Sequence, residues 1–138
     1  MGVIYADIEL INENDIHLAR RYHIGEEEIR RLNLNIMVDS GCYMLAINET
    51  IQDILQLPFV EKRKLKLANE RIVELDVVGA VQVKFANRTA TCNALVLPGD
   101  SEPLLGAIPL EEMDVLIHPL WQELIVNPEH PDGAILRI

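Results

Sequence analysis

The sequence has few aromatic residues, few cysteines and no long apolar run. Aromatic residues make up only 4% of the 138 residues, so branched aliphatic side chains must fill the core, which favours β structure. Two cysteines, Cys42 and Cys92, cannot form a disulfide framework and lack the spacing of a zinc site. No stretch approaches the roughly 20 apolar residues of a membrane span, and the first residues do not resemble a signal peptide. We therefore expect a cytoplasmic protein without a membrane partner.

Positive charge is also scarce. Twelve Lys and Arg residues stand against 22 Asp and Glu residues, which gives a net charge of -10. This field would repel a phosphate backbone, so nucleic acid is not an expected partner. The basic run at residues 62–66 could steer an acidic substrate, although a solvated strand face explains it as well. The acidic and histidine residues near the end of the sequence fit no metal-ligand spacing, so we expect neither a metal nor a cofactor. They are His118, Glu123, His130 and Asp132.

The first part of the chain contains two strand patterns around a polar segment. The length favours a single domain, residues 1–138. An apolar-rich run at 2–11 predicts the first strand, and residues 12–15 predict a turn. Residues 12–31 are interpreted as an insertion between the first strands, with short helical turns that include 26–31. Clean alternation at 32–38 then predicts a strand that leads directly into Asp39.

The remaining sequence predicts short strands joined by turns. Met44 to Ile47 predicts a strand, and Asn48 or Thr50 can cap a following helix that ends at Leu57-Pro58. A hairpin is predicted at 62–78, and further strands at 81–85, 89–97, 124–126 and 134–138, with a short helix at 109–113. About eight strands with one or two short helices indicate a mostly β fold, a compact and mostly antiparallel barrel that is closed or partly open.

The triplet Asp39-Ser40-Gly41 is the first candidate for chemistry. Carboxylate-based peptide hydrolysis needs two carboxyl groups side by side, because only one of them can then be charged and the other holds a proton. The charged group takes a proton from water, and the protonated group donates to the carbonyl oxygen. The same three residues are also typical of an ordinary turn. Ser40 could in principle be an acyl nucleophile. However, no histidine lies in a motif that suggests a base, and the Gly-x-Ser-x-Gly pattern of a nucleophile elbow is absent.

A second motif, Leu104-Leu105-Gly106, follows downstream and leads into the helix predicted at 109–113. With this motif the sequence resembles the retropepsin-like (clan AA) aspartic proteases, in their bacterial single-domain type. Those proteases have a strand that ends in Asp-Thr/Ser-Gly, a β-hairpin flap, and a hydrophobic-hydrophobic-Gly segment that runs behind the catalytic loop before a short helix. The same features occur here in the same order, from about residue 32 to residue 113.

The resemblance implies an acid-protease-type β barrel with a flap, and it implies roles for particular residues. Asp39 would be the catalytic carboxylate of an aspartic endopeptidase that cleaves a peptide or protein substrate with an activated water. Ser40, Gly41, Leu104, Leu105 and Gly106 would support the catalytic loop. The residues at the predicted hairpin turn would form the flap over the substrate: Leu67, Ala68, Asn69, Glu70 and Ile72.

The chain contains one Asp-Ser-Gly triplet, so the resemblance implies a homodimer in which each copy supplies one Asp39. Three features depart from the family pattern: Cys42 replaces the usual Ala, the bulky Tyr43 follows it, and the flap tip has no glycine. Cys42 could be a redox switch or a small packing residue. An alternative is therefore a homodimeric barrel of the same fold with weak or no catalysis that binds peptides. Another is that the triplet occurs by coincidence in an unrelated barrel.

Overall fold

The computed structural model describes residues 2–138. The strands are β1 (Ile4–Asn12), β2 (Arg31–Val38), β3 (Leu45–Asn48), β4 (Phe59–Lys66), β5 (Ile72–Phe85), β6 (Arg88–Leu97), β7 (Leu104–Leu105), β8 (Val115–His118) and β9 (Glu123–Val126). The helices are α1 (Glu13–Arg20), α2 (Glu49–Leu55) and α3 (Ala107–Met113), with a short 3₁₀ turn at Glu26–Glu28. The prediction of a mostly β fold is confirmed, but the expectation of one or two helices was too low, because residues 13–20 form a third.

Seven strands form one sheet, in the order β1-β2-β7-β3-β6-β5-β4. Because β1 pairs with β5 as well as with β2, six of these strands close into a ring, and β4 lies outside the ring against β5. Most pairings are antiparallel, and the parallel ones join β2 to β7 and β3 to β6. The remaining strands, β8 and β9, form a separate two-stranded sheet.

The interior of the ring is filled by aliphatic side chains. In β2 the buried residues Ile36 and Val38 alternate with the exposed Asn33 and Asn35, as expected for a strand with one buried face. Each large aliphatic side chain that is fully buried contributes roughly 1.5–3 kcal/mol to folding. The side chains without exposure in this cluster are Leu10, Ile36, Leu45, Ile47, Leu55, Val81, Val83, Ala94, Leu105 and Met113.

Helix α2 begins at a side-chain cap. Of the two residues considered, Asn48 is the cap, because its Oδ1 accepts the N–H of Ile51 at 2.8 Å. The helix ends at Leu55, and Gln56 adopts a left-handed conformation with φ 49°. The predicted end before Leu57-Pro58 is therefore confirmed.

Helix α1 begins within residues 12–15, which the sequence predicted as a turn. Asn12 accepts the N–H of Asp15 at 3.0 Å and also donates its side-chain amide to the carbonyl of Leu55 at 2.9 Å. Asn and Asp favour both turns and helix N-caps, and this buried contact with α2 favours the helix. The predicted helical turns at 26–31 shrink to the 3₁₀ turn, because Ile29 is already extended.

The second strand of the hairpin predicted at 62–78 and the strand predicted at 81–85 are one strand, β5, with a register irregularity between Val78 and Val81. Of the last two predicted strands, the one at 124–126 is confirmed and the one at 134–138 is wrong. Residues 124–126 lie in β9, which pairs with the unpredicted β8 instead of joining the ring. Residues 134–138 form no strand, and the N–H of Ile135 donates to Asp114 instead of to a neighbouring strand.

Among residues 2–138, none of the helices has both the length and the apolar character needed to cross a bilayer.

Candidate active site

Asp39 follows β2 directly, at the point where β7 enters the sheet. Strand β7 lies between β2 and β3: Val38 is opposite Leu105 in parallel register, and Leu104 is opposite Ala46 in antiparallel register. The N–H of Asp39 donates to the carbonyl of Leu105 at 3.0 Å. The Leu104-Leu105 segment therefore fixes the start of the loop through the backbone.

The loop that follows folds back on Asp39. The N–H of Gly41 donates to Asp39 Oδ1 at 3.0 Å, and the N–H of Cys42 donates to the Asp39 carbonyl at 3.0 Å. A Cβ on Gly41 would lie 3.2 Å from Asp39 Oδ1, which is a tight contact. Glycine thus allows the backbone to approach the carboxylate and to orient it with a charge-assisted hydrogen bond.

Gly106 connects β7 to α3 by passing close under the loop. A Cβ at this position would lie 2.6 Å from the Cys42 carbonyl oxygen and closer still to the Met44 carbonyl oxygen. The first residues of α3 then donate to the loop, from Ala107 N to Cys42 O at 2.8 Å and from Ile108 N to Tyr43 O at 3.0 Å. The otherwise unpaired N–H groups at the start of a helix are satisfied by the loop's carbonyl groups.

The structure brings together six of the predicted site residues: Asp39, Ser40, Gly41, Leu104, Leu105 and Gly106. Asp39 is half-buried, whereas Ser40 and Gly41 are exposed. The carboxylate therefore lies at the surface of a loop that is held by buried backbone. A second molecule can reach it.

Cys42 and Tyr43, the two residues that follow the triplet, both form hydrogen bonds with nearby backbone. Cys42 Sγ donates to the Met44 carbonyl at 3.2 Å, and partial burial, followed by the charge of Asp39, raises the pKa of its thiol. The Tyr43 side chain is 69% exposed, so its bulk extends into solvent while its carbonyl bonds α3.

The predicted flap turn is the tip of the β4–β5 hairpin, where Lys66 is opposite Ile72. The N–H of Leu67 donates to Arg71 O at 2.8 Å, and Glu70 adopts a left-handed conformation with φ 67°. The remaining tip residues, Ala68 and Asn69, are exposed. Within residues 2–138, the hydrogen bonds do not connect these tip residues to the Asp39 loop.

A second apolar cluster lies apart from the ring interior and links the hairpin to the loop. Apart from Leu104, sequence reasoning missed these residues as part of the site, although the alternation in β4 and β5 could have indicated which face they share. At its edge, Arg63 Nη1 lies 4.0 Å from Met44 Sδ. The cluster contains Met44, Leu65, Leu75, Ala46, Val77, Leu95, Leu97, Leu104 and Ile108.

In the described chain, no group of three or more His, Cys, Asp and Glu side chains is arranged to hold a metal ion. His118 lies against Trp121, and His130 bonds Asp114. The chemistry that this loop can supply directly is that of one accessible carboxylate on a rigid support.

No protein-family model matches this chain, and no curated protein matches its sequence significantly.

Proposed function

We propose that this chain is an aspartic-type endopeptidase with an acid-protease-type barrel, active as a homodimer in which each copy contributes Asp39. The observation that carries the proposal is the position of β7 between β2 and β3, with the Asp39 N–H bonded to Leu105 O. An ordinary Asp-Ser-Gly turn needs no such support. A catalytic carboxylate does, because misplacement by about 1 Å can cost about 100-fold in rate.

In this proposal the two Asp39 carboxyl groups share one proton, because like charges in contact cannot both ionise. The ionised group takes a proton from water as the water oxygen bonds to the peptide carbonyl carbon. The protonated group donates its proton to the carbonyl oxygen. A proton then passes to the peptide nitrogen as the carbon–nitrogen bond breaks, and a carboxylic acid and an amine leave. The dyad titrates as a unit.

The test compares wild type, Asp39→Asn and a matched control, Asp53→Asn, whose carboxylate lies exposed on α2. Each is incubated with a peptide library between about pH 4 and pH 7, and the mass in solution is measured in parallel. We expect cleavage by wild type and by Asp53→Asn, and loss of cleavage in Asp39→Asn. Cleavage that persists in Asp39→Asn would exclude the mechanism, and a fully active monomer would exclude the shared dyad.

The second candidate function is peptide binding without efficient cleavage by the same dimeric fold. Two observations favour it: the exposed Tyr43 beside the loop, and a hairpin tip from Leu67 to Arg71 that has no glycine. A hairpin with fewer permissive residues closes less freely over a substrate. A stable dimer that binds library peptides but leaves them intact would support this function over the first.

A further inference from the structure

The β8–β9 hairpin has an ordered tip that keeps its large apolar side chains in solvent. His118 Nδ1 accepts the N–H groups of Leu120 at 3.2 Å and Trp121 at 3.1 Å, and the His118 ring stacks on Trp121 with centroids 3.9 Å apart. Yet Leu120 is 85% exposed and Trp121 is 66% exposed. An exposed, locally fixed pair of this kind is typical of a contact surface.

An apolar groove continues from this hairpin to the candidate active site. The groove has a volume of about 280 Å³ and runs between α3 and β8. Its lining includes Ser40, the neighbour of Asp39, together with Leu116 and Ile117 of β8. Glu111 contributes the charged group of the lining. The exposed hairpin and the catalytic loop therefore belong to one continuous surface.

The proposed dyad determines what covers this surface. For the partner's Asp39 to reach Asp39, the partner must also lie over Ser40, and hence over the groove that Ser40 lines. A two-fold axis places this surface of one copy against the same surface of its partner. The loop alone is too small for a stable contact, since a standard interface buries roughly 800 Å² on each partner. The groove and the hairpin extend the contact with the apolar area that such an interface needs.

The net charge of the chain also favours the groove as the contact between two copies. Each copy carries a net charge of -10, so two copies repel each other unless their contact avoids the acidic surface. The groove lining is apolar apart from Ser40 and Glu111. Apart from that one carboxylate, it therefore offers an uncharged area next to the position where the partner must lie.

We infer that the β8–β9 hairpin is a dimerisation arm. The surface formed by Leu120, Trp121 and the groove along Leu116 packs against the same surface of a second copy, across a two-fold axis beside Asp39. This inference rests on the proposed shared dyad. The arm holds together the two loops that peptide cleavage requires.

Trp121 is the single tryptophan of the chain, so its fluorescence reports on the arm directly. Wild-type protein is examined from about 0.1 to 100 μM by sedimentation and by tryptophan emission. We expect the emission maximum to move to shorter wavelength over the same concentration range in which the dimer forms, because the indole leaves water.

Two variants and one matched control test the contact. Leu116→Asp and Trp121→Asp each place a carboxylate in the contact, and we expect the dimer dissociation constant to rise by at least about 30-fold. Leu116→Asp retains Trp121, whose emission then stays at long wavelength over the whole range. Tyr22→Asp adds the same charge at an exposed aromatic residue outside the groove, and its dissociation constant should equal that of wild type. Circular dichroism checks that each variant is folded.

The outcomes separate the arm from the proposed activity. Folded Leu116→Asp and Trp121→Asp proteins that dimerise like wild type overturn the arm, even if peptides are cleaved. A wild-type chain that stays monomeric overturns it too. If both variants are monomeric while wild type is a dimer that does not cleave peptides, the arm stands and the peptidase proposal fails. Asp39→Asn should dimerise without cleaving.

Discussion

The Asp39 loop and the tip of the β8–β9 hairpin are both short turns at the surface, but they are held in different ways. The loop donates the N–H of Asp39 to the carbonyl of Leu105, and it accepts the N–H groups of Ala107 and Ile108, all of which are distant from it in sequence. The hairpin tip is held by its own residues, chiefly by His118. The geometry of the loop therefore depends on the core, whereas the geometry of the tip depends on a few neighbouring residues.

The two regions also differ in what they leave uncovered. The loop exposes a carboxylate and a hydroxyl group, while the tip exposes Leu120 and Trp121. A rigidly supported polar group suits chemistry, because its position is set before a substrate arrives. An exposed apolar pair suits association, because its burial in a contact is favourable. We therefore expect substitutions in the loop and in the tip to affect different properties of the protein.

The largest expected effect is that of Leu105→Ala. Leu105 has no exposed surface and lies under the loop, so its truncation leaves a cavity and should lower the free energy of unfolding by about 2–5 kcal/mol. Leu120→Ala at the hairpin tip should change it by less than about 0.5 kcal/mol in the monomer. Urea unfolding at a concentration where the chain is monomeric measures both. Equal losses of unfolding free energy in the two variants would contradict the view that the loop, unlike the tip, depends on the core.

Gly106→Ala should have the next largest effect. The added methyl group would meet the backbone carbonyl oxygens of Cys42 and Met44, and these cannot rotate away as a side chain can. We expect the free energy of unfolding to fall by about 1–3 kcal/mol, and the proposed peptide cleavage to be lost because the loop shifts. The matched control is Gly133→Ala, where no atom lies within 4 Å of the new methyl group. Unchanged stability and cleavage in Gly106→Ala would show that the loop tolerates displacement.

The stability of the protein should fall in acid because of Asp114, which lies directly before the β8–β9 hairpin. Its carboxylate accepts the N–H of Ile135, the Asn127 amide and His130 Nδ1, at 3.0, 3.1 and 2.6 Å. These bonds, led by that from Ile135, lower the pKa of Asp114 from 3.8 to about 2. A lowered pKa in the folded state gives stability that is present above about pH 4 and is lost as the pH falls towards about 2.

Asp114→Asn should therefore be less stable than wild type at pH 6, and the difference should shrink between about pH 4 and pH 2. Unfolding by urea at stepped pH values measures this, with the exposed Asp132→Asn as the control. A difference that stays constant down to pH 2 would show that the loss in the variant does not arise from the carboxylate charge.

The smallest expected effect concerns the Cys42 thiol. Partial burial and the charge of Asp39 raise its pKa, so it should be alkylated more slowly than a free cysteine at pH 8. Asp39→Asn removes the charge and should increase the rate, by less than about ten-fold. Cys92 is an internal reference, because burial and then Glu112 raise its pKa to about 12. Mass spectrometry after timed alkylation distinguishes the two sites, and an unchanged Cys42 rate in Asp39→Asn would contradict the electrostatic contribution.

Local patterns were sufficient to predict much of the ring and of the loop. The alternation before Asp39 predicted β2, and Asn48 was recognised as a possible cap because its side chain acts on its own helix. The Leu104-Leu105-Gly106 motif was singled out by a resemblance, and its two leucines pair with the end of β2, directly before Asp39. The strand and the cap depend on residues that are close in sequence, and the motif was identified from its order relative to the triplet.

Two of the failures arise from contacts between distant residues. Asn12 begins a helix because its amide bonds Leu55 O, a contact that no local pattern around residue 12 contains. The apolar residues at 134–138 favour a strand, but Ile135 bonds Asp114 instead. Strand β9 is different, because it pairs with β8 through the adjacent turn, where the Gln122 N–H donates to the His118 carbonyl and Gln122 adopts a left-handed φ of 53°.

The insertion of β7 between β2 and β3 also constrains the order of events during synthesis. The Asp39 loop is translated early, yet its support at Leu105 to Ile108 emerges only after nearly half of the chain has followed. Pairings between residues so far apart form late, because the intervening chain must first be brought to order. A ribosome-bound fragment that ends before residue 104 therefore carries the triplet without its geometry. If the chain is a peptidase, it remains inactive until the core around the loop is complete.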